Sequence, residues 1–404
     1  MIEDQTAVQT WIATVRKYMP HLSKPQATVL ALWSFGIVMT RSCGLTSVAA
    51  FLAQLLGQKE AALRQRLREG YREAGAKRGA HRQALDVTGS FAPLLRWVLS
   101  WWAADDQRLA LAMDASALGD RLVVLAISVV YRGCAIPVAW VWLAGNQPGA
   151  WRPHWCALFD ALQGAVPPTW TVLVLADRGL YARWLYTRIK DMGWHPFLRV
   201  NRGGTYRPTG ASKFRPLARA LPGVGYMWSG TVVCFKSKPL ACTLLAGWGR
   251  GYADPWLILT DLAPAQAEVG WYGLRTWIEC GFKDAKRGGW QWQQTRITDP
   301  ERATRFWLAI AVATLWVLSV GGEADATLPA PGFAALPDTH IARRRATRRS
   351  QSRLLSCFRR GFLVILSALL KQDPLPLGSF CPEPWPRHLL HVKVPEPLLH
   401  AAVL

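Results

Sequence analysis

Tyr272, Arg275, Glu279 and Lys286 follow one another at intervals of three, four and seven residues. At ~100° of rotation per residue, a helix sets them at about 0°, −60°, −20° and −40°, on one narrow stripe. Leu274, Ile278, Phe282 and Ala285 fall on an adjoining stripe between about 200° and 280°. Such a helix packs its apolar stripe on a sheet and leans the polar one over the sheet's edge. Asp114 and Asp177 each close an apolar run, Leu109 to Met113 and Trp170 to Ala176. An ionised carboxylate beside a buried strand is costly unless it is paired or holds a cation. In an alternating α/β domain, strand ends lie at the edge where ligands bind. Either Asp alone is also what an ordinary strand end carries, and a polar stripe alone is also an ordinary solvated face.

Taken together, Asp114, Asp177 and Glu279 are a hard oxygen donor set of the kind Mg²⁺ or Mn²⁺ takes, with waters and substrate phosphates completing the shell. Two such ions about 4 Å apart activate an attacking oxygen and stabilise a leaving one at a phosphodiester. Neighbouring Lys and Arg neutralise flanking phosphates. The residues therefore point to metal-dependent phosphodiester chemistry on nucleic acid.

The elements that must position these groups alternate. Residues 1 to 105 read as helical, from apolar spacings of three and four over Thr6 to Tyr18, Gln26 to Phe35, Ser47 to Leu56, Glu60 to Gly70 and Phe91 to Trp102. From 106 to 202, strands are expected at Leu109 to Met113, Leu122 to Tyr131, Cys134 to Leu143, Trp170 to Ala176 and Pro196 to Val200, with helices at Trp151 to Gln163 and Leu180 to Met192. Residues 203 to 254 break the pattern, being rich in Gly, Pro, Lys and Arg, with no acid between Gly203 and Ala253. A strand at Trp256 to Thr260 and helices at Val269 to Arg287 and Phe306 to Val320 complete the second part of the core, 255 to 322. A Pro/Gly/Ala-rich linker over 323 to 340 and a basic helical region with a Pro-rich, loose tail over 341 to 404 are expected at the end.

The chain has 404 residues, with 48 Lys and Arg against 26 Asp and Glu, a net charge of +22. A hydrophobic fraction of 51% supports a packed core and excludes a disordered chain. The charge predicts a polyanionic partner, nucleic acid before an acidic membrane surface. It gathers in Lys59 to Arg82, in the acid-free stretch, and in Ile341 to Lys371, which has eight Arg, one Lys and no acid. The eight Cys form no CxxC pair and the eight His no HExxH or HxH cluster, which argues against a structural zinc site. The opening MIEDQTAVQTW lacks signal-peptide features, so reduced, buried thiols in a cytoplasmic protein are expected. Leu122 to Ala144 is split by Arg132-Gly133, and Phe306 to Val320 is shorter than the ~20 residues of a membrane span. Strands and a buried core helix are expected there.

These residues resemble the IS4-type DDE transposases. Tyr272-x2-Arg275-x3-Glu279-x6-Lys286 is similar to that family's Y-R-E-K signature, Leu111-Ala-Met-Asp114 to its first-Asp strand, and Leu175-Ala-Asp177-Arg-Gly-Leu-Tyr181 to its second-Asp motif. Trp256 to Thr260 and the run Ser356 to Gly361 also fit. The resemblance implies an α/β, ribonuclease-H-like catalytic core over 106–202 and 255–322, interrupted by a β-rich insertion over 203–254, with helical N- and C-terminal regions. It implies that Asp114, Asp177 and Glu279 bind two Mg²⁺ or Mn²⁺ ions, and that Tyr272, Arg275 and Lys286, with Arg178 and Lys283 as neighbours, hold DNA phosphates. The implied activity is cut-and-paste movement of an insertion sequence through hairpin ends. The implied partners are the element's terminal inverted repeats, target DNA and a second copy of the chain on paired ends, on the bacterial nucleoid and without a membrane.

Hairpin formation moves a base out of the stack, which an aromatic face stabilises. Trp248 is the candidate, with Trp228 behind it, against the plainer reading of hairpin packing. Two other functions share the charge and the acids: a catalytically silent DNA-binding derivative and a metal-dependent nuclease without strand transfer.

Overall fold

The computed structural model describes residues 2–78, 82–103, 105–145, 150–250, 252–326 and 355–386. Five helices come first: α1 (Ile2–Tyr18), α2 (Lys24–Thr40), α3 (Leu45–Leu56), α4 (Glu60–Gly70) and α5 (Thr88–Ser100). α2 starts at a capping box, in which Ser23 Oγ accepts from the Gln26 amide and Gln26 Oε1 accepts from the Ser23 amide at 3.0 Å. Residues 30 to 38 are all buried, so α2 is apolar all round and lies inside the protein.

The middle of the chain alternates: β1 (Arg108–Leu118), β2 (Leu122–Tyr131), β3 (Cys134–Ala144), α6 (Arg152–Leu162), β4 (Thr171–Ala176), α7 (Arg183–Asp191) and β5 (His195–Arg199). Then come β6 (Thr205–Pro208), β7 (Arg215–Pro216), β8 (Met227–Cys234), β9 (Leu240–Gly247), β10 (Trp256–Thr260), α8 (Trp277–Ala285), α9 (Pro300–Asp325) and α10 (Cys357–Leu370). The strands form one mixed sheet in the order β3-β2-β1-β4-β5-β10-β9-β8-β6-β7. β1 pairs in parallel with β4, and β4 with β5, while β2 and β3 run as an antiparallel hairpin beside β1. The hairpin turns at Arg132-Gly133, both with positive φ (46° and 80°), as a two-residue hairpin loop requires. Arg132 tolerates this because its buried guanidinium is tied down. It donates to the Cys381 and Asp325 carbonyls at 2.7 and 3.2 Å and pairs with Glu383 at 3.1 Å.

Three sequence expectations need correction. β1 does not stop at Asp114 but runs on to Leu118, since β2 continues to pair with it after β4 has ended. The stretch 203–254, expected to be β-rich, carries β6 to β9. β9 is hydrogen-bonded to β10 from Trp256↔Gly247 to Thr260↔Thr243, so the added strands extend the central sheet. The helix expected over Val269 to Arg287 is a 3₁₀ stretch, Val269–Thr276, followed by the shorter α8, and Lys286 caps its end. Gly270 and Gly273, both buried, admit the tight first part. The tail is not loose as far as Trp385. Phe380 is fully buried between the Trp101 carbonyl and the Ala103 amide, and Trp316 Nε1 donates to the Pro376 carbonyl at 2.8 Å.

Residues 306 to 320 of α9 are all buried, as expected of a core helix. The full helix, at 26 residues, is long and apolar enough to cross a membrane, but 94% of its most apolar window is covered by the rest of the protein. Gly321 and Gly361 let α9 and α10 touch backbone to backbone, since a Cβ on either would overlap a carbonyl of the other helix. Buried Asp325, near the end of α9, pairs there with Arg360. Of the C-terminal expectations, 327–354 and 387–404 lie outside the described residues.

Packing accounts for most of the 22 Trp. Trp140, Trp142, Trp292 and Trp307 meet around β3 and α9, with centroids 5.0 to 6.5 Å apart. A second group joins the N-terminal helices to α9, with Trp11 stacked on Trp316 at 4.3 Å. The eight Cys are free thiols, five of them buried.

Candidate active site

Strand register brings the two Asp together. β1 and β4 pair in parallel up to Ala112↔Leu175. Two more residues along each chain lead to Asp114 and Asp177, level with one another where β4 ends. Glu279, in the first turn of α8, reaches the same place because α8 packs across β3, β1 and β2. Leu274, Ile278, Phe282 and Ala285 are buried, so the apolar stripe does anchor the segment on the sheet.

Arg275 stands at the centre. Its guanidinium pairs with Asp114 at 2.7 Å, Glu279 at 2.9 Å and Asp177 at 3.8 Å, with its side chain 1% exposed. Burial opposes the Arg275 charge, but Asp114 above all outweighs it and the pKa is raised. Asp114 is pushed above the usual carboxylate range by burial, against which Arg275 and the Ala115 amide work. Asp177 Oδ1 accepts from the Gly179 and Leu180 amides at 2.9 and 3.1 Å, which fixes the turn after β4. Three carboxylates about one guanidinium leave a formal charge of −2 in a half-buried place. That excess and the oxygen-only donor set fit a divalent cation. Among the described residues no group of three metal-binding side chains stands close enough to hold an ion as it is.

The other expected residues fall into two groups. Tyr272 is fully buried and Arg275 nearly so, with the Arg275 guanidinium turned to the three carboxylates. Burial pushes the Tyr272 hydroxyl up to about 12. Lys286, Lys283 and Arg178 lie nearer the outside. Lys286 Nζ donates to Ser116 Oγ at 2.8 Å and to the Ala117 carbonyl at 2.9 Å, both on the overrun of β1, and burial lowers its pKa. Lys283 is exposed on α8. Arg178 pairs with Asp254 at 3.2 Å.

Trp248 follows β9 on the same sheet edge as Asp177, since β10 and β9 run antiparallel in turn beside β5. It is half-buried; its Nε1 donates to the Tyr252 carbonyl at 3.0 Å and the Arg202 guanidinium lies 5.2 Å from its ring centroid. Trp228 sits against Gly230 and packs on Tyr206 at 5.8 Å, within the β6–β8 hairpin region.

Two neighbours were not singled out from the sequence. Arg199, at the end of β5, is buried, donates to the Pro255 carbonyl at 3.2 Å and faces the Tyr272 hydroxyl. Asp254, the first acid after the acid-free stretch, gathers Arg178 and Arg202. Only the sheet order places them here, although both lie at the ends of recognisable strands.

Asp284, on the far side of α8, faces the Cys134 thiol, and burial raises its carboxyl to about 7. The folded state therefore holds a proton that the unfolded chain releases near pH 4. Stability from this group is present below about pH 4, falls as pH rises, and levels off above about 7. Asp284→Asn should remove that loss, raising stability at pH 8 by about 1–3 kcal/mol at ~1.4 kcal/mol per pKa unit. At pH 4 it should change little. Thermal melts at the two pH values check this, and equal shifts at both would refute it.

A search of curated proteins gives no match. Residues 152–316 match the transposase DDE domain family. This stretch includes Asp177, Tyr272, Arg275, Glu279 and Lys286 and begins downstream of Asp114, whose place rests on the β1–β4 register. The mixed α/β sheet is compatible with such a domain, and the match supports a DDE transposase, an enzyme that acts on DNA strands.

Proposed function

We propose that the protein is an insertion-sequence transposase of the IS4 type, built on a ribonuclease-H-like core, that cleaves DNA at the element's ends and joins those ends to target DNA. The observation that supports this reading most is the meeting of Asp114, Asp177 and Glu279 on one guanidinium at one sheet edge. These carboxylates would hold two Mg²⁺ or Mn²⁺ ions, which neutralise charge at the attacking and leaving oxygens of the displacement. Arg275 holds the three acids within reach of one another before substrate arrives, and Tyr272 with Arg199 supports Arg275 from below. Lys286, Lys283 and Arg178 meet the phosphates that flank the cleaved bond.

In the proposed sequence, water attacks a phosphodiester at each end and leaves a 3′-OH. That hydroxyl attacks the opposite strand and closes a hairpin, which is reopened before the 3′-OH attacks target DNA. Trp248 would stack on the displaced base with the ring face that Arg202 leaves available. Two copies on paired ends, working in the bacterial cytoplasm, complete the reading, with the N-terminal helices and the basic C-terminal region as DNA-holding parts.

The test uses purified protein, Mg²⁺ or Mn²⁺, a duplex ending in the element's inverted repeat, and a supercoiled target. Metal-dependent nicking, hairpin ends and joined products are expected, all lost with EDTA. Nicking without joining would favour a nuclease, and binding without nicking a silent derivative.

A further inference from the structure

Between α2, α4 and the start of α9 lies a cavity of about 410 Å³, within the ~300–1,000 Å³ typical of small-molecule sites. Its floor is aromatic. Phe306 meets Trp33 edge-on at 4.8 Å and Tyr71 at 5.5 Å. Its rim is basic: Arg66, Lys77, Arg78 and Arg82 line it, and Glu69 is the one acid among the described lining residues. Glu69 is already engaged by Gln65 at 2.7 Å, and Arg305, deeper in, is held by Glu73 and the Tyr71 carbonyl. Arg66 and Arg78 are exposed. An occupant must therefore be flat and apolar on one side and anionic on the other. A nucleotide turned out of its stack has both properties, with a base for the floor and a phosphate for the rim.

Position in the fold favours a nucleotide that is part of DNA. Asp114 on β1 pairs with Ala126 on β2, which pairs with Trp140 on β3. Trp140 Nε1 donates to the Thr304 carbonyl at 2.9 Å and the Trp142 amide to Thr304 Oγ1 at 3.0 Å. The next two residues, Arg305 and Phe306, line the cavity. It thus lies past the β3 edge of the sheet, on the side level with Asp114. Phe306 also stacks on Trp292 at 5.4 Å, which packs on Trp142, so the floor is braced against β3.

We propose that this cavity receives an unpaired DNA nucleotide, its base on the Tyr71–Phe306 floor and its phosphate at Arg66, Arg78 and Arg82. The inference rests on DNA being the substrate proposed above. The test measures binding of the full-length protein to a short single-stranded oligodeoxynucleotide carrying one 2-aminopurine, and to the same sequence fully paired. Free deoxyadenosine monophosphate serves as competitor. The single strand should bind with quenched fluorescence. Arg66→Ala/Arg78→Ala, both at exposed positions, and Tyr71→Ala should each weaken it about ten-fold, with paired DNA little changed. Unchanged single-strand binding, or equal weakening on both DNAs, would overturn the proposal. Competition by the free nucleotide as strong as by the oligonucleotide would overturn its DNA source. Metal-dependent cleavage by the unaltered protein is scored separately, so cleavage without unpaired-base binding counts against the cavity alone. Loss of cleavage with binding kept counts against the catalytic reading alone.

Discussion

Asp114→Ala is expected to abolish strand cleavage while leaving the protein folded. Metal-ion stabilisation of transition-state charge is worth several kcal/mol, and each ~1.4 kcal/mol is a factor of ten, so a loss of at least about 1,000-fold follows. Stability should hold because burial already disfavours the Asp114 charge, and Arg275 keeps Asp177 and Glu279 as partners. Nicking of an element-end duplex, followed on denaturing gels, and a thermal melt of the same preparation check both parts. Cleavage above about one-tenth of the unaltered level would remove Asp114 from the proposed catalytic set, and with it the argument from the β1–β4 register.

Arg275→Ala is expected to have the largest effect on stability. It leaves three carboxylates facing one another with no cation between them. Removing one partner of a buried ion pair costs about 3–5 kcal/mol, against a total of roughly 5–15 kcal/mol for a typical domain. The variant should unfold at clearly lower denaturant concentration. Millimolar Mg²⁺ or Mn²⁺ should restore much of the loss, because a cation bound only by the folded state stabilises it by mass action. Arg275→Lys should fall between, since an ammonium cannot fork to several carboxylates as a guanidinium does. Denaturant titration with and without divalent metal is the measurement. An Arg275→Ala variant as stable as the parent would show that the acids do not need the guanidinium. A destabilised variant that metal fails to rescue would count against metal binding by these acids.

Much of this site is legible in the residues themselves. Asp114 and Asp177 close apolar runs, and apolar runs become buried strands because their backbones must pair where water is absent. The spacing from Tyr272 to Lys286 survives although its first part is 3₁₀ rather than α-helical, because the buried apolar side chains keep the segment on the sheet. Less legible are features that depend on a neighbour distant in sequence. β1 overruns Asp114 because β2 offers it hydrogen bonds, and residues 115 to 118 carry no strong strand signal of their own. The tail to Trp385 looks loose by composition, yet it is held by Trp101, Arg132 and Trp316, which lie far away in the chain.

The sequence by itself determined the ingredients: three acids, two of them closing apolar runs, the Tyr272-to-Lys286 stripe and a strong positive charge. Only the tertiary structure decided what stands between those acids. Sequence spacing placed Arg275 and Tyr272 on one stripe with Glu279, and the family resemblance implied that they hold phosphates. In the structure Tyr272 and Arg275 are buried, Arg275 pairs with the carboxylates, and Lys286, Lys283 and Arg178 lie nearer the outside. The physical reason is that a helical stripe sets direction but not depth. Depth comes from how closely α8 packs on β1 to β3, and at that depth a guanidinium among three carboxylates is stable only if it pairs with them.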